Sequence, residues 1–353
     1  MIEETYYPPP ESSGGWRWTD DERELAGVAG VDPELLSIEF RREELLYGGD
    51  SWGVVVIRNG WLAGEHYTFN VATTTRFDVW SATKSMTALG WGLMLDAEGS
   101  GVALDSPIYE LIPDGSPLSD LRKRSITIGH VLSMTSGIRG EDHGIYGMPS
   151  SPDTGIFEVA LGRSRNRYGI STAELAAGPG TAWDYSDPAY CHLALAFPEA
   201  AGEQLGPFVG ERILEPIGVE QASWEQQGGR GFIGPYTNAH TGFIVSAREL
   251  ARIGYLVAKG GEWEGRQVVP ASWLELATSP SQPFNRGYGY GWWTNQDGHY
   301  GDSFPRDLVA MSGYRSNRCY VIPSLDLVVA RVGGGPVNFD ESVFLAGILR
   351  ALD

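Results

Sequence analysis

The chain has 353 residues, 42% of them hydrophobic and 20% charged, enough to bury one large core or two cooperating lobes. Its formal net charge of −19 argues against nucleic acid or an anionic membrane surface as a partner, because both would repel it. No apolar run approaches the ~20 residues that cross a bilayer, and residues 1–17 hold neither a basic start nor an apolar stretch, so no membrane contact and a cytoplasmic location are expected.

Residues 1–18, with Tyr6-Tyr7-Pro8-Pro9-Pro10, read as an extended segment lying across the surface. Two helices follow: Thr19 with Glu22 has the pattern of a capping box, and Asp32-Pro33 sets an N-cap before a proline in the first turn. Runs 52–57 and 61–69 flank Asn59-Gly60, the strongest short signal for a hairpin turn. From Ser81 onward Met86, Leu89, Leu93, Met94 and Ala97 make a helix so apolar that it should be buried, ending at Gly99 and Gly101. Between 107 and 279 the pattern is mainly helical, over 126–134, 172–177, 189–199, 205–214, 247–258 and 270–277. β character returns in 288–294, 308–311, 318–322 and 327–332, with Pro323-Ser324 as a turn and 340–352 as a closing helix. The expected architecture is therefore α/β (α+β), with strands from both chain ends in one sheet. That sheet domain spans 19–106 and 285–353, and a mainly helical domain, 107–284, is inserted between its halves. Cys191 and Cys319 are too few for a disulfide framework or a zinc site and read as small buried hydrophobes.

Lysine usage singles out one place. The chain has three lysines against 23 arginines, and Lys84 stands three residues after Ser81 in Trp80-Ser81-Ala82-Thr83-Lys84-Ser85. Arginine stays protonated, whereas a desolvated lysine can fall toward neutrality and act as a base. A serine hydroxyl needs such a base to become a nucleophile. If Ser81 opens the helix, positions i and i+3 share a face and the amine reaches the hydroxyl. The alternative is a surface lysine beside a capping serine.

That layout and Ser81-Ala82-Thr83-Lys84 resemble the serine β-lactamase and penicillin-binding-protein-like hydrolases, in particular the class C-like branch of esterases, D-amino-acid peptidases and aminohexanoate-dimer hydrolases. Phe77 to Lys84, Leu104-Asp105, Ile126-Thr127 with Met134-Thr135-Ser136-Gly137, and Glu215-Pro216-Ile217-Gly218 carry the resemblance from about Trp52 to Gly333. It implies a transpeptidase-like antiparallel sheet flanked by helices, and a second element, Tyr-x-Asn-like, which Tyr185-Ser186-Asp187 fills. Tyr185 would then lie across the cleft from Lys84, where an ammonium favours the phenolate, and would shuttle a proton. Asp187 departs from the usual Asn or Ser and cannot donate a hydrogen bond when ionised; its other reading is a helix N-cap. The third element, normally Lys-Thr-Gly or His-Thr-Gly, is matched by Met311-Ser312-Gly313. The backbone N–H groups of Ser81 and Tyr314 would form the oxyanion hole, and Ser312, Gly313 and Arg315 would border the substrate. Methionine in place of a cation implies weak or absent β-lactam hydrolysis.

Three further signals remain. Gly229 to Gly234 matches a dinucleotide fingerprint in letters but lacks a preceding strand, and reads as a loop. His240 could line the cleft or be a structural histidine. Tyr146, in the punctuated stretch 140–155, could shape the pocket from a lid. No His-Glu-x-x-His helix is present. The expectation is a cofactor-free, metal-free serine hydrolase, monomeric or homodimeric, acting on a small-molecule ester or amide through an acyl-enzyme on Ser81. The alternatives are a D-amino-acid peptidase or amidase, and a penicillin-binding-like protein that keeps the pocket without turnover.

Overall fold

In the computed structural model, residues 5–113, 115–145, 155–227, 236–335 and 339–352 are described; Tyr146 and the 229–234 glycine motif fall outside them. Strands from the two ends of the chain meet in one six-stranded sheet. In chain order these are β1 (Trp52–Arg58), β2 (Trp61–Tyr67), β3 (Trp293–Thr294), β4 (Val309–Gly313), β5 (Asn317–Ile322) and β6 (Leu327–Gly333). Across the sheet they run β3-β4-β5-β6-β1-β2, every pair antiparallel. The seam between the two halves is β1 on β6, from Trp52 opposite Gly333 to Arg58 opposite Leu327. Asn59 (φ 51°) and Gly60 (φ 73°) turn β1 into β2 with the positive dihedrals of a type I′ hairpin.

Both faces of the sheet are covered, which is why β1 and β6 read as unbroken apolar runs. Val54 and Val56 pack against helices α1 (Glu22–Ala29), α2 (Pro33–Tyr47) and α6 (Glu341–Arg350), through Leu25, Leu36, Phe40, Phe344 and Ile348. Val55 and Ile57 face the opposite core, which continues into the inserted lobe through α3 (Thr83–Asp96) and α4 (Asp187–Ala201). Helix α5 (Ala247–Ala258), placed with the inserted lobe on sequence, lies on the sheet against β1, β5 and β6. Gly254 permits that approach: a Cβ there would stand 2.6 Å from Cys319 Sγ and from Val328 Cγ1.

Local expectations hold where the signal is short-range. Asp32 caps α2 by accepting from Glu34 and Leu35, with Pro33 next to it. The capping box of Thr19 and Glu22 does not form; Asp21 caps α1, and Thr19 Oγ1 donates instead to Glu24 Oε2 at 2.7 Å. No helix forms over 172–177. Thr172 spends its hydroxyl on the carbonyls of Val159 and Ala160 and its own carbonyl on Lys123, an alternative to helical bonding. Of 288–294 only β3 is strand, because Gly289 packs where a Cβ would be 2.0 Å from the Ala277 carbonyl. The N-terminal segment is bound more closely than a surface strap. Trp16 is buried against Tyr255, and the buried Arg252 of α5 donates to the carbonyls of Pro8 and Pro9 and pairs with Glu11. Cys191 and Cys319 are buried free thiols.

Candidate active site

Ser81 sits on a 3-10 turn, Trp80–Ala82, that feeds α3, rather than in the α-helix itself. The turn is strained at Trp80 (φ 51°) and is held by Asp78, whose Oδ1 accepts from Trp80 N at 2.8 Å and from Gly242 N at 3.0 Å. Thr83 Oγ1 accepts from Phe243 N at 3.1 Å, fixing the first turn of α3. That turn carries Lys84, whose Nζ donates to Ser81 Oγ at 3.0 Å, so the spacing of three does what the sequence implied.

The amine is wholly buried and has two more acceptors. Asp187 Oδ1 lies at 2.6 Å and the His240 carbonyl at 3.2 Å. Lys84 and Asp187 thus stand as a buried ion pair, where the sequence pointed to a neutral amine. Asp187 is not the N-cap of α4; Ser186 fills that place by accepting from Ala189 N at 3.1 Å, which frees the Asp187 carboxylate to turn toward Lys84. Its contact is with the lysine, which answers the expectation that it would touch substrate.

Tyr185 packs its ring face on Lys84, the Nζ standing 4.8 Å from the ring centroid, and its hydroxyl reaches the Ser81 side chain. Burial, and after it the Asp187 carboxylate, push the phenol well above its ordinary value. The expected phenolate is thus overturned: Tyr185 is held protonated, a donor at rest, because burial, and after it Asp187, disfavour the phenolate.

These groups open onto a cleft of 310 Å³ bordered by Ser81, Tyr185, Ser312, Gly313, Tyr314 and Arg315. Gly313 is required by space. A Cβ there would fall 1.9 Å from the Val79 carbonyl, so only glycine lets β4 touch the Ser81 turn. Tyr314 follows at once, its ring edge-on to Trp80 at 5.5 Å, and borders the cleft together with Ser81. Met311 is buried in the core. Arg315, in left-handed backbone (φ 58°), gives its guanidinium to Asp50 at 2.9 Å. His240 does not line the cleft with its ring, which is completely buried; burial lowers its pKa to about 4, and what it offers the site is its carbonyl.

Sequence reasoning passed over Trp183, Glu141, Trp293 and Arg318, all of which border the cleft. Trp183 was within reach: it stands two residues before Tyr185 in an extended stretch, where alternate side chains share a face. Glu141 is carried by a loop clamped to the Tyr185 segment. The buried Asp184 carboxylate accepts from Gly140 N (2.7 Å) and Asp142 N (3.1 Å) and pairs with His143 Nδ1 (2.8 Å), and Glu141 N donates to the Tyr185 carbonyl (2.9 Å).

A family model described as Beta-lactamase matches residues 47–340. The chain belongs to the β-lactamase family. It is 30% identical over 208 residues to the D-alanyl-D-alanine-carboxypeptidase/endopeptidase AmpH of Escherichia coli (strain K12), covering 55% of this chain and 51% of the relative. The chain thus spans about half the length of the first curated relatives it matches. Among solved structures, a penicillin-binding protein homolog from Caulobacter crescentus superposes with a TM-score of 0.66 at 17% identity, covering 91% of this chain and 97% of the other. EstCE1, a hydrolase with promiscuous acyltransferase activity, superposes with a TM-score of 0.67 at 14% identity, over 90% and 98%. At these identities the superpositions speak to the fold alone, and the fold is β-lactamase/transpeptidase-like, a mixture of helices and antiparallel sheet. Among the described residues no helix is long and apolar enough to cross a membrane, and no group of three or more His, Cys, Asp or Glu could hold a metal.

Proposed function

We propose that this chain cleaves an ester or amide bond of a small molecule through an acyl-enzyme on Ser81. The observation that carries the reading is the 3.0 Å contact of Lys84 Nζ with Ser81 Oγ at the wall of a cleft that Tyr185 also borders. Once the Lys84–Asp187 pair sheds a proton, the amine takes the hydroxyl proton of Ser81 as its oxygen bonds to the substrate carbonyl carbon. The charge that develops on the carbonyl oxygen is met by the N–H groups of Ser81 and Tyr314, a donor pair of which each member is worth about 3–4 kcal/mol in comparable sites. Tyr185, protonated at rest, gives its proton to the departing oxygen or nitrogen and recovers one from Lys84. Water then attacks the acyl carbon with the same pair removing its proton, and Ser81 is released.

The cations at the cleft are committed to carboxylates, and Met311 is buried, so among the described residues no cation stands ready for the carboxylate of a penicillin. β-Lactam turnover should therefore be weak. A fluorophosphonate probe tests the proposal: mass spectrometry should find the label on Ser81, and Ser81→Ala should lose both the label and the burst of p-nitrophenol from an ester while melting like the wild type. Labelling elsewhere, or a full burst in Ser81→Ala, would refute it. Short-chain esters, linear amides and D-Ala-D-Ala peptides, assayed side by side, decide between the esterase and the amidase or peptidase arms.

A further inference from the structure

The cleft beside Ser81 has a charge and a wall that the chemistry just described does not use. Each cation at its border is matched: Lys84 by Asp187, Arg315 by Asp50, Arg318 by Glu341. Glu141 and Asp142 border it as well, and neither carboxylate makes a hydrogen bond or ion pair with another described residue. The cleft is therefore left with net negative charge. Glu141 is also set in place, because the backbone on both sides of it is bound to Asp184 and its own N–H to the Tyr185 carbonyl. Burial, and after it the neighbouring Asp187, raise the Glu141 carboxyl above its ordinary value, against a smaller opposing pull from Lys84.

The same stretch of wall is aromatic. Trp183 lies 6.3 Å from Tyr185 and 6.3 Å from Trp293, ring centre to ring centre, and all three rings border the cleft. Tryptophan faces carry the strongest cation-attracting quadrupole among side chains, and an aromatic wall beside a carboxylate is the arrangement that receives ammonium and quaternary ammonium groups. An anionic group would meet Glu141 there, and a neutral alkyl group would leave a half-buried carboxylate without a partner. The charge of the whole molecule, −19, draws cations toward the cleft from a distance.

We propose that the cleft beside Ser81 is a seat for positively charged nitrogen, formed by Glu141 with Trp183 and Trp293, so that the esters or amides it takes carry an ammonium or trimethylammonium group. This deepens the Ser81 reading and rests on it for the word substrate; the seat itself can be measured without turnover.

The first experiment titrates the full chain with choline and with its uncharged carbon isostere, 3,3-dimethylbutan-1-ol, followed by calorimetry. Choline should bind at least about tenfold more tightly, and Glu141→Gln should bring the ratio close to one. Equal binding of the two, no binding of choline, or a preference that survives in Glu141→Gln overturns the seat. The second needs no variant: kcat/KM for p-nitrophenyl 4-(trimethylammonio)butanoate is compared with that for p-nitrophenyl 5,5-dimethylhexanoate, each corrected for its uncatalysed rate. The cationic ester should be preferred about tenfold or more. If the neutral ester acylates Ser81 as well, the seat falls and the Ser81 reading stands. If neither ester labels Ser81 yet choline binds selectively, the Ser81 reading falls and the seat stands.

Discussion

Two of the three lysines in this chain are completely buried, and each touches a serine hydroxyl from the preceding turn. Lys84 reaches Ser81 Oγ at 3.0 Å; Lys123 reaches Ser119 Oγ at 2.8 Å. Each also has two further acceptors. For Lys84 these are the Asp187 carboxylate and the His240 carbonyl, whereas for Lys123 they are the carbonyls of Thr172 (2.9 Å) and Leu161 (3.1 Å). The difference lies in what surrounds the pair. Ser81 opens on a cleft and has a phenol beside it, while Ser119 turns its own proton to the Leu161 carbonyl at 3.2 Å. Lys123 ties three loop segments together with no anion against it, and burial lowers its pKa to about 8. A serine within reach of a buried lysine is therefore not itself a catalytic sign. Access, a second proton carrier and a counter-ion separate the reactive pair from the structural one.

The largest effect that tests this contrast is at Lys84. Lys84→Arg keeps a positive charge against Asp187 but cannot give up a proton, so kcat/KM for a p-nitrophenyl ester should fall by at least about 10³, within the range of lost base and nucleophile activation. Retention of more than a tenth of the activity would place the base elsewhere. The next largest concerns Lys123 and is read in stability. Its pKa is about 8 in the folded chain and near 10.4 unfolded. Below pH 8 it is charged in both states and burial is fully penalised. As pH rises from 8 toward 10.4 the folded form sheds its proton first, the unfolded state binds more protons, and stability gains. That gap is worth about 3 kcal/mol. Urea melts should therefore show wild type gaining about 2 kcal/mol of it on Lys123→Met between pH 8 and pH 10, and parallel curves for the two would contradict the assignment. The comparison with Lys123→Met cancels the buried tyrosines, which lose stability in the same range.

What could be read in advance follows from distance along the chain. Asn59-Gly60, Asp32-Pro33, the helix over 247–258 and the reach of Lys84 to Ser81 depend on residues a few positions apart, and each is found in place. The association of early and late strands was legible because β1, β4, β5 and β6 each carry their own β pattern. The electrostatic state of the site was hidden because it is set from afar. Asp187 reaches Lys84 from the first turn of α4, far along the chain, and the protonation of Tyr185 follows from burial and then from that carboxylate. Likewise nothing near Arg315 says that it pairs with Asp50, and nothing near His240 says that its ring is buried while its carbonyl serves the lysine. The reach of Lys84 to Ser81 was legible as a position; its pairing with Asp187 was not.

The ion pair gives a third, smaller test, and it sharpens the contrast in the opposite direction. Asp187→Asn makes the surroundings of Lys84 resemble those of Lys123, a buried amine among neutral acceptors. Losing an anion at 2.6 Å weakens the hold on the proton. kcat/KM for a p-nitrophenyl ester at neutral pH should then rise, by about tenfold. Unchanged activity would mean that the pair does not control the base.

The smallest effect falls on the structural pair. Ser119→Ala removes one of three acceptors around Lys123 and leaves the Leu161 and Thr172 carbonyls in place. The cost is one hydrogen bond to a buried charged group, about 1–3 kcal/mol, read as a lower midpoint in urea. Turnover per folded molecule should match the wild type within error, since Ser119 borders no part of the cleft. Ser81→Ala also removes one acceptor from a buried lysine, yet it should abolish turnover at little or no cost in stability, because Asp187 still pairs the amine. The two alanine variants thus change the same kind of contact and should separate stability from activity completely; a loss of kcat/KM in Ser119→Ala would join the two pairs and undo the distinction.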